Sequence, residues 1–192
     1  SNSTVSQTAT TGRINANMDS IDNFAIESRM KMNSESSGYA QTSFFTQNNG
    51  ASSYAYYNIR KQGGIQKAQI QTAGAEYDGS FSYSLGTYYK VLGTKNGNNV
   101  TMSIDGSQKI NVNPTEGNAF NLLQLFNYEG QGTWDNIFVR KYAATEPNVA
   151  APTNEEKGGA PIAYCKFDEG TGTTTTDSSS NKFTANITAA TW

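Results

Sequence analysis

The stretch TYYKVLGTKNGNNVTMSIDGSQKINV, residues 87–112, decides the fold. Asn96-Gly97 and Asp105-Gly106 each stand between short runs of alternating apolar and polar residues. Such dipeptides close two-residue hairpin turns because they tolerate the positive φ that the turn demands. The stretch predicts a three-stranded antiparallel meander running to Pro114. Val100, Met102 and Ile104 turn one way and Asn99, Thr101 and Ser103 the other, the period of a strand with one buried face.

The same reading extends outward. In residues 23–32, Phe24, Ile26, Ser28, Met30 and Met32 share one face, while Ala25, Glu27, Arg29 and Lys31 share the other. The aromatic runs 39–46 and 53–60 flank Gln-Asn-Asn-Gly and read as two strands with a short turn. Gly63-Gly64 leads into a strand over 65–71, and the Gly- and Ser-rich residues 72–86 read as a connection. Residues 119–127 and 133–142 complete the body, with Tyr-Glu-Gly-Gln-Gly between them as the turn. Residues 1–17 read as a polar arm with Val5 and Ile14 its main apolar residues. No 3.6-residue period stands out, so many short strands predict an all-β antiparallel sandwich over residues 1–142.

Residues 143–161 carry three of the four prolines among small residues and read as a linker. Beyond it, 162–168 and 182–191 read as a strand pair joined by the loop EGTGTTTTDSSSN. This gives the body a C-terminal strand-forming extension, residues 162–192.

Composition limits the functions available. Charged residues make up 16% of the 192 residues and the net charge is -2 without a basic run, which argues against nucleic acid as a partner. No apolar stretch approaches the roughly 18 residues of a spanning helix, so membrane insertion is not expected. A single cysteine excludes an intrachain disulfide. The absence of His removes the commonest metal ligand and general base, and no cofactor is expected. Low charge, few Cys, abundant Thr and Asn, and the sequons at Asn2, Asn99 and Asn186 point to an extracellular or cell-surface location.

With these segments in view, DNFAIESRMKM (22–32), TYYKVLGTKNGNNVTMSIDGSQ (87–108) and TWDNIFVRKYAATEP (133–147) resemble the concanavalin A-like lectin/glucanase superfamily. They are most similar to the jelly-roll modules of microbial surface proteins. The tail, IAYCKFDEGTGTTTTDSSSNKFTANITAATW, resembles the opening of a second, laminin-G-like module, with Cys165 where such openings usually carry Trp. The resemblance implies a jelly roll; it does not fix an activity, because function resides in sites grafted on a fold.

Glucanases of this superfamily carry Glu-x-Asp-x-Glu or Glu-x-Asp-x-x-Glu on one strand. The nearest match here is Glu76-Tyr77-Asp78, followed by Gly79, Ser80 and Phe81, so the third carboxylate is missing. Glycoside hydrolysis needs an acid and a base at a set separation, and no catalytic residue is assigned; the expectation is a protein that is not an enzyme. Asp168, Glu169 and Asp177 bracket the Thr-rich loop as oxygen donors, but Asp in turns ordinarily caps local backbone, and no metal site is assigned. Cys165 between Tyr164 and Phe167 reads as a small buried hydrophobe.

Two functions follow. Ile162, Tyr164, Phe167, Phe183 and Ile187 are too apolar for a solvated tail, and an isolated strand pair is marginal. The first expectation is therefore assembly: the tail adds strands to another copy, giving a surface filament by strand complementation, with the N-terminal arm as a candidate partner strand. The alternative is a lectin-like carbohydrate-binding module, for which Tyr54, Tyr56, Tyr57, Tyr88 and Trp134 offer rings and Asn58 and Asn136 polar partners.

Overall fold

A computed structural model describes residues 5–6, 11–47, 54–114, 120–143 and 161–188. The predicted Gln-Asn-Asn-Gly turn, most of the linker and Asn2 lie outside them.

The described chain forms two packed antiparallel sheets without a helix. The smaller contains β1 (Val5–Ser6), β3 (Phe24–Glu35), β8 (Tyr89–Asn96), β9 (Asn99–Ile104), β10 (Ser107–Val112), β12 (Gly130–Lys141) and β13 (Ala163–Cys165). The larger contains β2 (Thr11–Ile21), β4 (Tyr39–Gln47), β5 (Tyr54–Gln62), β6 (Ile65–Thr72), β7 (Glu76–Ser80), β11 (Phe120–Tyr128), β14 (Thr174–Thr176) and β15 (Thr184–Thr188). Their orders are β1-β12-β3-β8-β9-β10, with β13 also on β12, and β14-β15-β2-β11-β4-β5-β6-β7. This is the jelly-roll sandwich that the sequence predicts.

The core follows the alternation. Phe24, Ile26, Met30, Val91, Met102 and Trp134 of the smaller sheet face Ile14, Phe44, Tyr57, Ile59, Ile70 and Leu125 of the larger, all buried. Gly93 sits where the stacked Phe44 and Tyr57 rings press on β8; a Cβ there would lie 2.6 Å from Tyr57. The Asp105-Gly106 hairpin forms as read, both residues at positive φ, whereas the first hairpin turns one residue later than read: Asn96 pairs with Asn99, so Gly97, at φ 57°, and Asn98 make the turn.

Three readings of the sequence are corrected. Residues 1–17 are not simply an arm: β2 is an interior strand of the larger sheet, with Ile14, Ala16 and Met18 inward. Its outward Arg13, Asn15, Asn17 and Asp19 give it a polar look. Residues 76–80 are not connection but β7, paired with β6. Gly79 is required there, since a Cβ would meet the Lys109 carbonyl of β10 at 2.7 Å. The turn between β11 and β12 is Glu129 alone, at φ 49°, rather than five residues.

The tail docks on its own chain. β13 pairs with Ile137–Val139 of β12, and β15 pairs with Arg13–Ala16 of β2, so one tail completes an edge of each sheet. Phe167 and Ala185 enter the core, Ile162, Phe183 and Ile187 pack against it, and Tyr164 stacks on Phe138 at 4.8 Å. The apolar residues expected to drive assembly thus contact their own body.

One carboxylate organises this tail. Asp177, 1% exposed, accepts hydrogen bonds from the Tyr164 (2.6 Å), Ser179 (2.8 Å) and Phe183 (3.4 Å) amides and from the Ser179 hydroxyl. Glu169 accepts from the Thr175 hydroxyl (2.8 Å) and the Thr176 amide (2.9 Å). Both are engaged by local donors as loop-shaping carboxylates are. Cys165 is a free thiol, pushed up to about 12 by burial and by the nearby Asp177 and Glu169 carboxylates.

Candidate functional site on the outer face of the larger sheet

The alternation that fills the core with one half of each strand presents the other half on the far side of the larger sheet. There, register places Arg13, Phe126, Ser43, Asn58, Gln69 and Asp78 in one row across six strands. An adjacent row carries Tyr128, Gln41, Arg60 and Lys67. On the other side run Asn15 and Gln124 and, on the strands further along the sheet, Tyr56, Gln71 and Glu76.

Gln41, Asn58, Arg60, Lys67, Gln69, Glu76 and Asp78 form a connected polar network within these rows. Gln41 Nε2 donates to Asn58 Oδ1 (2.8 Å), and Asn58 Nδ2 to Gln69 Oε1 (3.3 Å). The Arg60 guanidinium donates to Gln69 Oε1 and to Glu76 Oε1 (3.3 Å). Gln69 Nε2 reaches both Glu76 Oε2 (3.2 Å) and Asp78 Oδ1 (2.8 Å), and Lys67 Nζ donates to Asp78 Oδ2 (2.7 Å). Although on an outer face, Gln41, Asn58, Arg60 and Gln69 are at most 4% exposed. Arg60 Nε and Gln124 Oε1 are buried and meet no partner among the described residues. Buried polar groups are ordinarily paired, and each lapse costs about 1–3 kcal/mol.

Aromatic rings cross this network along the strand direction. Tyr39 and Tyr128 meet edge to face at 5.4 Å, Tyr128 and Phe126 stack at 6.4 Å, Phe126 lies 5.8 Å from Tyr56, and Tyr56 lies 5.4 Å from Tyr54. Arg60 lies over Tyr39 at 4.6 Å and Arg13 over Phe126 at 5.1 Å. Tyr128 is 40% exposed. Burial pushes the Tyr39 and Tyr56 phenols above their ordinary value, although Arg60 and Arg13 respectively draw them back. Burial pushes Asp78 upward, but hydrogen bonds from Lys67 and Gln69 outweigh it and hold the carboxyl low. Asp78 is therefore an acceptor at neutral pH and is poorly suited to donate a proton.

Rings beside amides, a guanidinium and carboxylates combine apolar contact area with directional donors and acceptors. Of the residues singled out in the sequence, Tyr54, Tyr56 and Asn58 lie on this face. Tyr57 and Trp134 are fully buried between the sheets and present no ring to a ligand. Asn136 lies in a bulge of β12 at φ 51°, and Tyr88 lies against Arg29 (4.8 Å) and Lys31 (4.7 Å) of the smaller sheet. The five candidate rings are therefore not brought together. Tyr39, Gln41, Arg60, Gln69, Phe126 and Tyr128 were not singled out. Their signal was parity: rings and amides share the face opposite Ala40, Phe44, Tyr57 and Ile59. Of the sequons, Asn99 is half-buried and donates to Asn111 (2.7 Å), whereas Asn186 is exposed on this same face.

No protein-family model and no curated protein matches the chain. Solved structures do. A carbohydrate-binding module, CBM66 from Bacillus subtilis, is 14% identical, with a TM-score of 0.51 over 68% of this chain and 83% of its own. Bacillus licheniformis β-glucanase is 14% identical, with a TM-score of 0.53 over 73% and 78%. CG-16, a homodimeric agglutinin from chicken liver, is 11% identical, with a TM-score of 0.52 over 67% and 99%. At these identities the likeness is one of fold, the concanavalin A-like jelly roll. It also corrects the expectation that the chain is not an enzyme. The same architecture carries a β-glucanase, and Glu76 and Asp78, assigned by sequence to a connection, share one face of a strand.

Proposed function

We propose that this protein binds glycans on the outer face of the larger sheet. The observation that carries the reading is the crossing of an aromatic ribbon, Tyr39–Tyr128–Phe126–Tyr56–Tyr54, with the linked polar side chains Gln41, Asn58, Arg60, Gln69, Glu76 and Asp78 on the same face. Rings take the C–H faces of sugars, and the amides, guanidinium and carboxylates take their hydroxyls. An extracellular or cell-surface location accords with this role. Affinity electrophoresis through gels containing laminarin, lichenan or hydroxyethylcellulose tests it. Retardation by at least one is expected, weakened about tenfold by Tyr128→Ala on the usual worth of a ring contact and left intact by Tyr88→Ala on the other sheet. Unretarded migration in all three gels refutes the reading.

A second reading is assembly through the tail. Its support is that the tail supplies β13 to one sheet and β15, with β14 outside it, to the other, and the same pairings made between copies would lose no hydrogen bond. Filaments of the full chain in negative-stain electron microscopy would favour it; a monodisperse monomer by light scattering would remove it.

A further inference from the structure

The ligand face does not stop at the body. β15 continues the larger sheet beyond β2, and its register sets Asn186 opposite Asn15 and Thr184 beyond it toward Asn17. β14 adds Thr174 opposite Asn186. Because cross-strand partners point to the same side, Thr174, Asn186, Asn15 and Gln124 form one row on the outer face, and Tyr56 lies two strands beyond Gln124. The inward residue beside Asn186 is Ala185, 2% exposed, so the outward direction of Asn186 is fixed by burial of its neighbour.

The chemistry of this end differs from that of the centre. Its outward side chains are amides and hydroxyls, whereas Arg60, Lys67, Glu76 and Asp78 gather toward the opposite edge. Gln124 Nε2 donates to Asn15 Oδ1 at 2.6 Å, which orients both amides. Gln124 Oε1, in a side chain only 4% exposed, meets no donor among the described residues. Asn15 and Asn186 are exposed, and their amides offer donors and acceptors of the kind that pair with sugar hydroxyls.

Resting on the glycan-binding reading above, we propose that the tail strand β15 builds one end of the ligand face. Asn186, with Asn15 and Gln124, forms an uncharged subsite for a hydroxyl-rich part of the ligand. Occupancy of the face and docking of the tail are thereby coupled. Any ligand that touches both β2 and β15 binds the docked tail better than the undocked one and must shift the tail toward docking. The tail has freedom to respond. An apolar cavity lies beneath it, lined by Ile14, Leu125 and Val139 of the body and Cys165, Phe167 and Ala185 of the tail. Incomplete packing there leaves dispersion contacts unmade and lowers the local cost of opening.

The test uses the full chain, produced without glycosylation, and whichever of laminarin, lichenan and hydroxyethylcellulose retards it most. Amide hydrogen exchange is followed with and without the polysaccharide, and affinity is measured for Asn186→Ala. The expected result is slower exchange over 184–188 as well as over β4 and β5. Affinity of Asn186→Ala should fall three- to tenfold, about the loss of one hydrogen bond. Protection confined to β4 and β5, with Asn186→Ala binding as tightly as the parent, overturns the subsite but leaves the glycan reading standing. Protection of the tail with unchanged affinity of both Asn186→Ala and Asn15→Ala also overturns it. Failure to bind any of the three polysaccharides overturns both proposals together.

Discussion

The tail and the centre of the larger sheet both bury polar side chains, yet they complete their hydrogen bonding differently. In the tail, Asp177 has a donor on every side: three backbone amides and the Ser179 hydroxyl. On the sheet, Gln41, Asn58, Arg60, Gln69, Glu76 and Asp78 are linked to one another, but Arg60 Nε is left without a partner among the described residues. A network that finishes its own bonding holds structure together. One that stops short stores an unpaid desolvation cost that a ligand can relieve. Tyr57 Oη, Asn127 Nδ2 and Trp134 Nε1 are likewise unpartnered among the described residues but lie between the sheets, so unfinished bonding supports the proposed recognition surface only where rings and exposed side chains accompany it, as on the outer face.

The largest effect that bears on the contrast is expected at Asp177. Asp177→Ala removes one acceptor and strands three backbone amides at the base of the tail. The expected loss is about 3–5 kcal/mol, the range for a buried, charge-assisted hydrogen-bond centre. It should appear as a lower urea midpoint and as rapid proteolysis within 161–188. Asp177→Asn keeps one acceptor oxygen and should fall between the variant and the parent. A parent-like midpoint for Asp177→Ala would break the comparison from the structural side.

A smaller change in stability, but a large one in binding, is expected at Arg60. Its guanidinium is 4% exposed and incompletely paired, while its partner Glu76 is 40% exposed and remains solvated if Arg60 is lost. Replacing an imperfectly satisfied buried cation with a similar apolar side chain is often neutral. Arg60→Met should therefore shift unfolding free energy by no more than about 1 kcal/mol and reduce polysaccharide retardation at least as much as Tyr128→Ala. A loss as great as that of Asp177→Ala would place Arg60 among the structural groups and erase the distinction.

The two regions were unequally legible in the sequence. The hairpins at Asn96-Gly97 and Asp105-Gly106 were legible because positive φ imposes a residue choice that no tertiary contact overrides. The inward residues of β3 and β9 were legible because burial and alternation coincide there. β7 was not, since Glu-Tyr-Asp-Gly-Ser is a turn-like composition and the need for Gly79 arises from β10, far along the chain. The tail strands were legible as apolar, but not the surface they cover. The candidate site was legible only in part. Tyr54 and Tyr56 could be named, but which rings share a face depends on cross-strand register, and Phe126 and Tyr128 come from a strand some 70 residues away. Trp134, the most conspicuous residue by composition, lies in the core because a large ring gains most from leaving water.

Acid should sharpen the comparison with the smallest effects. Burial pushes Glu169 upward, but the Thr176 amide and the Thr175 hydroxyl outweigh it, so its carboxyl in the folded tail is held below 4.5. A carboxyl lowered on folding stabilises the fold above its unfolded value, about 4.3, and that stabilisation is lost as pH falls through the folded value. Protection of the tail amides should therefore stay constant from pH 8 to about 5, once the intrinsic exchange rate is divided out, and weaken only below about 4. Glu169→Gln should show less of that decline. The sheet face is expected to be flat over the same interval for a different reason. Asp78 is held below 3.8, and the Tyr39 and Tyr56 phenols are raised above 10.0, so none of the three changes charge between pH 5 and 8. Polysaccharide retardation should accordingly be unchanged across that window. A fall toward pH 5 would mean that a group other than these three governs binding. That outcome would move the centre of recognition away from the ribbon of rings, whose phenols hold their charge state throughout the window.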